Sequence, residues 1–239
     1  MESTSYITLS RQSGLQREMQ VVANNIANAS TTGFRAEGVV FSEYVKRVEG
    51  GPSLSMGQGN IGKTSFEQGG LRQTNGTYDF AIEGDAYFVV QTPQGDRLTR
   101  AGAFSPDAQG QLVTPDGFPV LDAGRAPLFV PGGAGALSVA SDGTLSIDGA
   151  PLGQMALVRP LEPLEMVRED GVMFRADAGD APAEDARVVQ GFIEGSNVNP
   201  LLEISRMIQV QRAYEMGQSF LQTEDERVRA AVKTLTQSQ

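Results

Sequence analysis

Apolar side chains along this chain keep three different rhythms. Near the start, Leu15, Met19, Val22, Ile26 and Ala29 recur at spacings of four and three, the stripe of an amphipathic helix with coiled-coil character. Near the end, Met207, Val210, Tyr214, Gly217, Leu221, Val228, Ala231 and Leu235 follow the same alternation, broken at Glu224, behind an Asn199-Pro200 pair suited to the N-cap and first turn of a helix. Between them the rhythm shortens. Runs at 80–91, 96–105, 110–122, 137–149, 154–161 and 188–195 are short, apolar or alternating, and Pro-Gln-Gly, Pro-Asp-Gly, Ser-Asp-Gly and Asp-Gly turns separate them. The pattern predicts an α+β protein: an N-terminal helix over 1–35, a glycine-rich connector over 36–65, a mainly β domain over 66–195 and a C-terminal helix over 196–239. The acidic stretch 168–187 is expected to be a solvated loop around one short strand. The two helical ends have few apolar neighbours in sequence besides each other, which predicts that they pair with each other and with further copies.

Composition narrows the function. The chain has 239 residues, is 40% hydrophobic and 20% charged, and so has the balance of a globular protein with a sizeable core. Its net charge of −10 argues against nucleic acid, whose phosphates require a basic surface. Residues 75–190 hold 7 basic and 17 acidic groups, so the whole excess lies in the centre, and ten of the 12 prolines lie there too. Cys and His are absent, which removes thiol nucleophiles, disulfides, the usual zinc ligands and the commonest general base. No catalytic, metal or cofactor site is expected. No window approaches 18 uninterrupted apolar residues and the start has no basic and apolar leader pattern, so neither a transmembrane segment nor an ordinary secretory signal is predicted.

The stretch 24–35, NNIANASTTGFR, stands out because three asparagines crowd the end of the predicted helix. Asn competes for nearby backbone groups and is a mediocre helix former, and a solvated face is better served by Glu, Lys or Gln. Its presence predicts that the amides pack against something. Gly33 is expected to end the helix in a left-handed cap with Phe34 folding back on the last turn. Gly57 to Thr64 matches the string GxxxxGK[ST], yet a phosphate cradle needs a buried strand before it and a helix after it, and neither flank supplies them. Carboxylate groups such as Asp79 with Glu83, or Glu224-Asp225-Glu226, are read as solvated charge.

Four blocks carry a resemblance. NNIANASTTGF at 24–34, FEQGGLRQTNGTYDFAIEGDAYFVV at 66–90, TRAGAFSPDAQGQLVTPDG at 99–117 and GSNVNPLLEISRMIQVQRAYE at 195–215 together resemble the axial rod and hook proteins of the bacterial flagellar basal body. The length and the opening SYITLSRQSGLQREMQ are most similar to proximal-rod members; a distal-rod or hook-type paralogue is the alternative, and a P-loop nucleotide-binding protein a remoter one. The resemblance implies a structural subunit that is not an enzyme. Its terminal helices would form a coiled-coil-like inner layer around a channel, with the β domain outside. Its implied partners are other rod proteins and itself, and the flagellar type III export apparatus would carry it, without a cleaved signal, to the rod in the periplasmic space. The assembly interface is then expected at Leu15, Met19, Val22, Asn24, Asn25, Ile26 and Asn28 on the first helix and at Met207, Val210, Tyr214, Leu221 and Val228 on the last. One departure is Ala86, where relatives commonly place Gly before two aromatics, which puts the local turn in question.

Overall fold

A computed structural model describes residues 2–46, 54–131, 135–169 and 171–237, and the chain divides into two compact units. The first comprises Met1–Ala27, Glu37–Ser65 and Asn199–Gln239; the second comprises Asn28–Ala36 and Phe66–Val198.

The first unit is built on α1 (Glu2–Ala27) and α2 (Pro200–Gln237). The α2 start is the predicted one: the Asn199 side-chain oxygen accepts from the amides of Leu201 and Leu202 at 3.1 and 3.3 Å, satisfying donors that the first turn leaves free. Gln12 meets Tyr214, Glu18 meets Arg206 and Asn25 meets Glu203, so the helices run antiparallel. Against α1 lies an antiparallel strand pair, β1 (Glu37–Lys46) and β2 (Leu54–Thr64), in register from Glu37↔Thr64 to Lys46↔Leu54 with a bulge between Val40 and Phe41. This corrects the expected connector. Glycine weakens a strand but does not forbid one when a β-branched and aromatic partner, here Val39, Val40, Phe41, Tyr44 and Val45, brings the propensity. The P-loop-like string lies inside β2, so its amides serve a sheet ladder, and no helix begins after it.

The second unit is the β domain. A six-stranded sheet runs in the order Val167–Glu169, Met173–Arg175, Gly95–Thr99, Tyr87–Thr92, Leu157–Pro160, Asp180–Pro182. Its central run Tyr87-Phe88-Val89-Val90 is apolar at every position because both faces are covered: Phe88 and Val90 enter a core with Phe80, Ile82, Leu112 and Leu145, while Tyr87 and Val89 join Leu98, Val158 and Phe174. The stretch 168–187 carries sheet-edge strands on both sides of Met173–Arg175, more order than a solvated loop. Gly84, at φ 103°, makes the left-handed turn before Tyr87, which leaves Ala86 free to sit fully buried in the core.

The end of α1 differs from expectation. The helix stops at Ala27, and residues 28–36 belong to the β domain. Gly33 does have a positive φ, 71°, but its amide donates to the Glu194 carbonyl at 2.8 Å instead of capping the helix. A Cβ there would come within 2.3 Å of the Ala101 nitrogen, so only glycine admits the approach. Phe34, 1% exposed, is buried in this unit instead of folding back on a helical turn. The next amide but one, that of Ala36, donates to the Asn197 side chain at 2.6 Å.

Residues 28–36 should therefore be needed for a stable β domain. A fragment spanning 66–198 is expected to unfold at a lower urea concentration than one spanning 28–198, by at least the roughly 3–5 kcal/mol of losing a buried Phe. Equal midpoints would show that the segment is merely adsorbed.

Candidate assembly site

The α1–α2 seam is unusually polar for a helix pair. Among the described side chains of α1, Gln12, Leu15, Glu18, Val22 and Asn25 are buried, with Gly14 buried beside them, a 3/4 stripe offset from the one read in the sequence. Only Leu15, Val22 and Asn25 of the expected residues are fully buried on this helix; Met19 and Ile26 are half-buried and Asn24 is exposed. On α2, Val210 is buried, Met207, Tyr214 and Leu221 are half-buried and Val228 is 41% exposed. Asn28 lies beyond the helix, where its side-chain oxygen accepts from the Thr31 hydroxyl at 3.1 Å and its carbonyl from the Thr31 amide.

Asn25, wholly buried, is the amide that fixes a register. Its Nδ2 donates to the Glu37 carbonyl at 2.7 Å and to Glu203 Oε2 at 3.3 Å, and its Oδ1 accepts from the Glu37 amide at 2.9 Å. One side chain thus satisfies both backbone groups of the first residue of β1 and reaches α2. Lower on the seam, Arg206 bonds to Glu18 at 2.9 Å. These contacts have directions, so a slide of one helix past the other by a turn would strand them. The sequence signal for Asn25 was the asparagine cluster itself; nothing in spacing separated it from Asn24.

In the β domain a second polar constellation holds the segment 28–36. Arg35 Nη2 lies 2.9 Å from Glu194 Oε1, and Arg100 Nη1 lies 3.6 Å from Glu194 Oε2, all three side chains being at most 2% exposed. Glu194 also accepts from the Gly69 amide at 3.1 Å. Arg35 donates to the Glu67 carbonyl, and Arg100 donates to the Gly84 carbonyl at 2.5 Å. Burial holds the Arg100 guanidinium below its ordinary range, Glu194 drawing it partly back, and burial likewise pushes the Tyr87 hydroxyl up. Over this, Arg168 stacks between the rings of Phe34 and Phe174, 4.7 Å from each centroid, and donates to the Arg35 carbonyl at 2.5 Å. Sequence reading missed Arg35, Arg100, Arg168 and Glu194; nothing local separates them from the chain's other charged residues.

A second set of side chains is left outside. Leu201, Met216 and Val232 on α2 are 76%, 67% and 55% exposed, among other apolar residues of that helix. A polar, register-fixed seam combined with an exposed apolar helix defines a subunit made to assemble.

Comparison with known proteins agrees. Residues 6–35 match the family described as flagella basal body rod protein, 81–147 the flagellar hook protein FlgE/F/G D1 domain, and 189–234 the flagellar basal body rod FlgEFG protein C-terminal family. Among similar proteins are the flagellar basal-body rod protein FlgF of Caulobacter vibrioides, 36% identical over 98% of both chains, and that of Mesorhizobium japonicum, 38% identical over 98% of both. The rod protein FlgG of Bacillus subtilis is 32% identical over 92% of this chain and 94% of its own. The chain belongs to the flagellar basal-body rod protein family, whose members are structural proteins rather than enzymes. It therefore works at the flagellar basal body, together with other rod proteins, and no described helix is long and apolar enough to cross a membrane.

Two substitutions test the polar cores. Glu194→Gln leaves two buried guanidinium groups uncompensated and should lower the stability of the β domain by about 3–5 kcal/mol in urea unfolding; a loss under 1 kcal/mol would mean water reaches the triad. Asn25→Ala strands the Glu37 amide and carbonyl at a cost of about 1–3 kcal/mol. Amide exchange at Glu37 should then become fast, while Asn24→Ala leaves it slow.

Proposed function

We propose that this chain is a structural subunit of the proximal rod, the part of the flagellar drive shaft nearest the motor. In this reading α1 and α2 form a coiled-coil-like inner layer around a central channel, and torque for motility passes through the assembled helices. The chain is made in the cytoplasm, leaves through the flagellar type III export apparatus without a cleaved signal, and takes its place in the periplasmic stretch of the rod beside copies of itself and other rod proteins. The observation that carries this reading is the apolar surface of α2 left exposed on a chain whose full length aligns with FlgF rod proteins. A distal-rod role fits less well, since the FlgG relatives align at lower identity.

The test is an in-frame deletion in a motile host. Cells should lose swimming and should yield no basal body with a complete rod in electron micrographs. Complementation with the wild-type chain restores both, whereas Leu221→Asp, which sets a charge on the half-buried face of α2, should be exported and left out of the rod. Full-length rods in the deletion strain would overturn the assignment.

A further inference from the structure

A cavity of about 190 Å³ opens in the β domain beside the buried charges. Tyr87 and Arg100 line its inner part, 5% and 2% exposed, with the Arg100 guanidinium 5.3 Å over the Tyr87 ring. Arg100 carries positive charge that Glu194 does not fully offset, because Glu194 is shared with Arg35. The Tyr87 hydroxyl meets no hydrogen-bond partner among the described residues, and burial pushes its pKa up, so it keeps its proton and remains a donor. A buried hydroxyl with nothing to donate to is uncommon, and the cavity is where an acceptor has room.

The remaining lining residues set the character of the space. Phe66, Pro160 and Pro163 give it carbon walls, and the exposed Arg159 and Asp85 stand at its rim. Arg159 is held in place there. Its Nη2 donates to both oxygens of Asp185 at 2.9 Å and its Nε to the Asp85 carbonyl at 3.1 Å, which fixes the guanidinium plane at the entrance.

We propose that this cavity binds a carboxylate carried on a short carbon stem, the chemistry shared by propionate and a glutamate side chain. The charge count selects a monoanion. Two buried guanidinium groups face one buried carboxylate, an excess of one, and a dianion such as phosphate would set one charge too many beside Asp85. The phenolic hydroxyl and the guanidinium groups are all donors to a carboxylate, and bonds to an ionised acceptor are the stronger kind. The walls select the stem, since carbon packed on Phe66 and the two prolines removes apolar surface from water, whereas an inorganic anion leaves that surface bare. Volume limits its length: the cavity is smaller than the roughly 300–1,000 Å³ of pockets that take drug-sized molecules. Asp85 opposes any anion, so binding is weak until that charge is removed.

The test begins with the isotope-labelled, full-length chain. It is titrated with sodium propionate, and separately with sodium chloride and propylammonium chloride at equal ionic strength, while the amide resonances are followed by NMR. The amides of Tyr87 and Arg100 should shift saturably with propionate alone. Tyr87→Phe deletes the hydroxyl without stranding a partner and should weaken the response about tenfold or more, as loss of a hydrogen bond to a charged group implies. Asp85→Asn should tighten it by about 1.5–5-fold, the range of an exposed charge interaction. A shift that does not saturate, that chloride reproduces, or that Tyr87→Phe leaves unchanged overturns the site. The two sources of carboxylate separate in basal bodies from cells whose chain carries Arg159→Lys with Asp185→Asn. A water-soluble carbodiimide condenses the introduced amine with a carboxylate lying against it. An adduct with a neighbouring protein, absent from wild type and suppressed by propionate, assigns the site to a partner's glutamate. A chain that stays monomeric while still binding propionate assigns it to a free acid.

Discussion

The β domain depends on one buried carboxylate. Glu194 neutralises Arg35 and takes the amide of Gly69, with Arg100 close by, all three charged side chains being almost wholly buried. Two guanidinium groups against one carboxylate leave an excess positive charge. Arg35 Nε and Arg100 Nε have no hydrogen-bond partner among the described residues, so the arrangement is a demanding one that tolerates little displacement. What it secures is specificity. Only when the segment 28–36 lies along its single track do Gly33 pass Ala101, Phe34 reach its buried site and Arg168 close over the top. An apolar plug could slip along its groove; this one is pinned at a charge.

The helical unit follows the same logic in neutral form. Asn25 ties α1 to the first residue of β1 and to Glu203, and Glu18 ties it to Arg206. Polar contacts fix the alignment of the two helices, and much of the apolar surface of α2 stays available outside the pair. A purely leucine-lined seam would be stickier and less discriminating, since apolar contacts have no direction and several alignments would compete.

Elements with strong periodicity were legible in the sequence, and those set by long-range pairing were not. α2 was readable to its cap because Asn199-Pro200 and the 3/4 stripe report local physics. The central strands were readable because both faces of 87–90 are covered. The β1–β2 pair was hidden by its glycines, which suggest a flexible tether until the partner strand is seen. The helix end was misplaced because Gly33 has the left-handed conformation that a cap would use, yet for a tertiary reason, the close passage of Ala101. Of the three asparagines, nothing local marks Asn25 as the buried one. Glu194 and Arg35 could not be matched by pattern, since any of the chain's charged residues is an equally good candidate until the fold brings two together.

The bond from the Ala36 amide to the Asn197 side chain spans 161 positions, and the Arg35–Glu194 pair beside it is nearly as distant in sequence. The β domain thus draws its first and last fixed points from opposite ends of the molecule. Loop closure over such a span is slow, and it is impossible while either end is missing. A chain that has been made only as far as its central strands lacks the carboxylate that pairs with Arg35, so the segment 28–36 stays unpinned until residue 194 has been added. Timing is thereby written into topology: the first-made segment of the domain is the last to be fixed.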